Sequence, residues 1–153
     1  MMRARATAPV RRPSVAVRRF GYLIAAAVNA ALLYVVNVWP GWQALPFLTE
    51  DTGQVLVLVN LSLVVGVVAN VVYLTYDAPW WKSLGDLVTT GVGMAVLVRV
   101  WQVFPFDFDG ASFNWALLVR VVLVVALVGA AIGVVAQFLS LARAGAVDNP
   151  ARR

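Results

Sequence analysis

Residues 115–141 read WALLVRVVLVVALVGAAIGVVAQFLSL and carry a single charge, Arg120. A run this long and this apolar has few ways to fold. As a helix, about 20 apolar residues span the hydrocarbon core of a bilayer. Three further runs are comparable: Phe20–Trp39, Thr52–Tyr76 and Leu84–Phe104. Lipid offers no hydrogen-bond partners to an open sheet edge, and no alternating segments of about ten residues appear, so the runs are read as helices rather than barrel strands. Only 12% of the residues are charged, against about 25% in a soluble domain. The expected fold is all-α and integral to the membrane: an antiparallel bundle of four transmembrane helices over residues 20–142, with spans 20–39, 52–76, 84–104 and 115–141. Residues 1–19 are expected to form a basic disordered arm, and residues 143–153 a short tail.

The basic residues orient that bundle. Six arginines lie in residues 1–19, Lys82 lies between spans 2 and 3, and Arg143, Arg152 and Arg153 lie in the tail. The segments after spans 1 and 3, PGWQALPFLTEDTG and PFDFDGASFN, hold neither Lys nor Arg. The positive-inside rule then places both ends on the cytoplasmic side. Arginine outnumbers lysine 11 to 1, a bias of GC-rich coding. Together these point to the plasma membrane of a bacterium. The first run reaches Trp39, longer than the core of a signal peptide, so span 1 is expected to be retained. The basic side should also contact anionic lipid. Nucleic acid is not an expected partner.

Cysteine and histidine are absent. That excludes disulfides, thiol nucleophiles and histidine-ligated haem, and it removes the commonest general acid–base residue. No cofactor or metal is expected, and an enzyme is disfavoured. Asp107-Phe108-Asp109-Gly110 lacks the spaced ligands and distal Glu of a calcium loop and reads as a β-turn.

Local signals account for several polar residues. Pro40-Gly41 and Pro105 should stop helices 1 and 3. Ser83 and Asp86 have the spacing of a capping box for helix 3. Thr49 could cap helix 2, with Glu50 and Asp51 in its first turn, and Asp109 or Ser112 could cap helix 4. An outer aromatic belt should include Trp39, Trp101, Phe104 and Trp115, and an inner one Tyr22, Tyr73, Tyr76, Trp80 and Trp81.

Two arginines remain inside spans, and an ionisable residue there is a functional candidate. Arg99 lies five residues before Phe104 and Arg120 five residues after Trp115. Each is therefore about 7–8 Å from the outer end of its helix, within snorkelling reach of water. The outer-loop acids Glu50, Asp51, Asp107 and Asp109 are the available partners. Between them, the arginines could bind an anion or a lipid headgroup. Asn29, Asn37, Asn60, Asn70, Gln102 and Gln137 are candidates for hydrogen bonds between helices, and Gly129 with Gly133 for close helix packing. On a helical wheel Arg120 lies opposite Gly129, and Arg99 opposite the polar face of helix 3. One bundle interior satisfies one face, so the second points to a homo-oligomer or a partner membrane subunit.

The leading expectation is a non-enzymatic small multi-pass protein, a self-associating scaffold or an accessory subunit of a membrane complex. Alternatives are a small oligomeric channel or transporter with an arginine-lined mouth for anions, and a lipid-binding or lipid-modifying protein.

Overall fold

The computed structural model describes residues 14–76 and 78–147. It is all-helical. Helix α1 spans Val15–Asn37, a 3-10 turn Trp42–Ala44 follows, and then come α2 (Thr52–Thr75), α3 (Pro79–Val103) and α4 (Trp115–Val147). All four helices are long and apolar enough to cross a membrane.

The span count and the stops match expectation, while three ends move. Helix α1 begins at Val15 rather than Phe20, because Ser14 caps it: its Oγ accepts from the Val17 N–H at 3.4 Å. Residues 14–19, expected in the arm, therefore split into a cap and one helical turn carrying Arg18 and Arg19. The remainder of the arm, residues 1–13, lies outside the described residues. Helix α3 begins at Pro79, whose missing N–H and fixed φ suit the first turn. Ser83 and Asp86 thus lie inside the helix and are not its cap. Helix α4 continues past Leu141 to Val147. Leu141-Ala142-Arg143-Ala144 favours helix, and no proline occurs before Pro150. The tail after Val147 is outside the described residues.

Two further caps differ from expectation. At α2 the N-cap position is Asp51, with no side-chain cap bond, while Thr49 contributes backbone: its N–H donates to the Pro105 carbonyl. At α4 the cap is Asn114, whose Oδ1 accepts from the Leu117 N–H at 3.0 Å. Asp109 and Ser112 lie too far back in the loop for that bond.

Each helix packs on its neighbours in sequence, α1 on α2, α2 on α3 and α3 on α4, and among the described residues no comparable interface joins α4 to α1. The arrangement is an open series of three seams rather than a closed ring of four. The loops after α1 and α3 meet at one end. Leu48 and Phe106 form an isolated antiparallel bridge there, flanked by Thr49 N–H to Pro105 C=O and Asp107 N–H to Phe47 C=O at 2.9 Å. Phe47, Phe106 and Phe108 stack over it. This is the loop end of the molecule.

Little is buried. The apolar core consists of Val55, Tyr73 and Leu123, and Thr52 is the buried polar residue. Large aliphatic side chains along α1, α2 and α4 face outward. In water such a surface would drive collapse. Against lipid tails, which are equally apolar, it needs no cover.

Candidate functional site

Helix α3 occupies an inner position in the series, and its polar residues are divided between two neighbours. Near its first turns, Lys82 and Asp86 lie four residues apart on one face and pair at 2.5 Å. Asp86 also accepts from the Tyr73 hydroxyl of α2 at 3.1 Å, and that hydroxyl is within 3.1 Å of the Lys82 carbonyl. The approach depends on Gly85. A Cβ at that position would fall inside contact distance of the Tyr73 hydroxyl. The Lys82 ammonium lies 5.4 Å from the Tyr73 ring centroid, and the Tyr22 ring of α1 packs on Tyr73 at 5.4 Å. One helical turn on, the Thr90 hydroxyl donates to the Asp86 carbonyl at 2.6 Å and accepts from Gln137 Nε2 of α4 at 3.2 Å. Polar contacts therefore link α2, α3 and α4 through the half of the helices away from the loop end.

Tyr73 was expected in the aromatic belt and Asp86 in a cap. Instead Tyr73 is 4% exposed and anchors the α2–α3 seam. The legible signal was the Lys82–Asp86 spacing. The tyrosine partner comes from another helix, so no local pattern contains it.

The α1–α2 seam has its own polar clasp. Asn37 and Asn60 exchange two hydrogen bonds, at 2.8 and 2.7 Å, the bridging expected of span amides. Asn29 and Asn70 behave differently. Each donates back to a carbonyl one turn earlier in its own helix, Ala25 and Gly66 respectively. Asn29 nonetheless packs on α2: a Cβ at Gly66 would lie 2.9 Å from its Oδ1. Gln137 bridges α4 to α3. Gln102 is exposed and bridges nothing among the described residues. Of the small-residue pair, Gly133 faces Thr90 of α3, with 3.8 Å between a built Cβ and the methyl, while Gly129 faces open space.

The two span arginines are not neutralised by the outer-loop acids. Arg99 donates to Gln54 Oε1 of α2 at 3.3 Å. Arg120 lies over the Phe104 ring, its guanidinium carbon 4.7 Å from the centroid. Neither makes an ion pair among the described residues. Asp51 accepts from Gln54 Nε2 at 2.8 Å, so that glutamine relays between Arg99 and an acid. Asp107 Oδ1 accepts from the Asp109 N–H and is spent on its own turn, which Ala111 N–H to Phe108 C=O closes. The β-turn expectation holds for that segment. Glu50 is exposed and supplies its carbonyl to Gly53 N–H at the start of α2. The arginines thus both sit near the loop end but on different partners.

Helix α3 was expected to have one face too many for a single bundle. In an open series an inner helix has two packed faces, and Arg99 uses the second by reaching α2. The surplus face belongs to the end helices, and Gly129 marks it on α4.

No family model, curated protein or solved structure matches this chain.

Proposed function

We propose that this chain is a non-enzymatic membrane protein that acts by association, as a self-associating scaffold or as an accessory subunit of a membrane complex. Its four helices cross a bacterial plasma membrane with both ends on the cytoplasmic side. The observation that carries the reading is the open series of helices: among the described residues α4 shares with α1 no interface comparable to the three seams. Both end helices therefore have a free face, and the free face of α4 includes Gly129, where a neighbouring backbone can approach closely. The distribution of arginines supports the orientation. An anion-selective mouth has less support, because Arg99 is held by Gln54 and Arg120 by Phe104, with no shared partner between them.

Native mass spectrometry from a mild detergent tests the association. Dimers or larger assemblies are expected from purified protein, and Gly129→Leu should cut the associated fraction several-fold. A chain that stays monomeric and captures no partner at any protein concentration overturns the reading.

A further inference from the structure

We infer that Arg120 and the groove beside it form a binding site for one phospholipid, with the phosphate on the guanidinium and an acyl chain in the groove. Arg120 is a permanent cation whose five N–H donors find no acceptor among the described residues; its contact is the Phe104 ring face. A charged residue in a span commonly pairs with another group, and lipid phosphate at the headgroup level lies within the same snorkelling reach as water. Arg99, also near the loop end, differs because Gln54 already serves it.

Beside Arg120 lies a groove of about 340 Å³ between α3 and α4, lined by Trp101, Leu117, Val121, Val124 and Val125 as well as Arg120 itself. Apart from the guanidinium its walls are hydrocarbon and indole. Helix α4 starts at the loop end, so Val121 to Val125 lie deeper than Arg120, Val124 by about 6 Å along the axis. That order is the order of a phospholipid. The phosphate sits shallow and the acyl chain deep, with Trp101 near the headgroup level that tryptophan favours. A guanidinium presents paired donors to phosphate oxygens in a matching plane. A small anion would use the guanidinium and leave the apolar groove without an occupant. The chemistry of both parts together selects the lipid.

The test titrates purified full-length chain in mild detergent with phosphatidylglycerol, read by native mass spectrometry. One lipid per chain is expected to bind preferentially. Arg120→Gln should weaken it about tenfold or more, the scale of losing a charge-assisted hydrogen bond. Val124→Trp, which fills the groove and keeps the guanidinium, should weaken it similarly, whereas Arg99→Gln should not. Circular dichroism reports whether each variant keeps its helices, and Val124→Trp carries the test alone if Arg120→Gln unfolds. Wild-type affinity in the variant that folds overturns the site. Equal binding of uncharged diacylglycerol overturns the phosphate contact. Competition by millimolar inorganic phosphate with no effect of Val124→Trp overturns the acyl-chain groove. Protein mass in the same spectra reports self-association separately, so the two proposals fail independently.

Discussion

At Gly85 a hydrogen atom decides whether two helices meet. The Tyr73 hydroxyl occupies the space a side chain would need, and from there it reaches Asp86 and the Lys82 carbonyl. Gly85→Val should force the α2–α3 seam apart and cost about 1–3 kcal/mol, the range for overpacking a filled site. Tyr73→Phe keeps the ring and removes only the hydroxyl, so its cost should be smaller, about 0.5–1.5 kcal/mol. Thermal unfolding followed by circular dichroism in one detergent compares the two, and a larger loss for Tyr73→Phe would contradict this account. The residue scale is also where the sequence was least legible. Asp86 fits a capping pattern with Ser83 by spacing alone, but Pro79 starts the helix earlier and a distant tyrosine supplies the partner. Spacing reports neighbours along one helix and is silent about what approaches from the next.

Each seam between helices is fastened by a different polar device on an otherwise aliphatic surface. Asn37 with Asn60 fastens α1 to α2, Tyr73 with Asp86 fastens α2 to α3, and Gln137 with Thr90 fastens α4 to α3. Apolar contact between spans has little preference over lipid, so hydrogen bonds and close packing set which faces meet. The amide pair is the cleanest to measure. A double-mutant cycle with Asn37→Leu and Asn60→Leu should give a coupling of about 0.6–2 kcal/mol. Each single change should cost more than half of the double, because it strands the remaining amide. Additive single changes, read from equilibrium unfolding in mixed micelles, would mean that the pair does not hold the seam. The helices themselves were legible because length and apolarity suffice to define a span. The α1 start was misplaced because Ser14 is a weak signal among arginines and alanines. The α4 cap was misplaced because Asn114 stood behind two equally plausible candidates.

The whole molecule is a series of hairpins in which the loops after α1 and α3 meet at one end, while the α2–α3 turn and the described termini lie at the other. The absence of native cysteine allows a direct test of its threading. A cysteine placed at Ser112 should react with a membrane-impermeant maleimide added to intact cells. One placed at Ser14 should react only after the membrane is opened. The reverse pattern would invert the proposed orientation. At this scale the sequence showed how many span-length helices the chain has but not whether the last helix returns to the first. Closure depends on the angles at which helices pack, and no pattern of residue types records them.

The central seam is held near both ends, and among the described residues it joins the two helices that each pack on two neighbours. At the loop end the Leu48–Phe106 bridge and the Arg99–Gln54 bond tie the segments around α2 and α3, and at the other end Tyr73 ties α2 to Asp86 of α3. Mechanically, α2 and α3 make a stiff central beam, with α1 and α4 as flanking leaves attached along one edge each. In the proposed membrane setting, a change of bilayer thickness is expected to tilt the leaves before it deforms the beam. In that sense the fold divides its support: the middle helices are braced on two sides and the flanks on one.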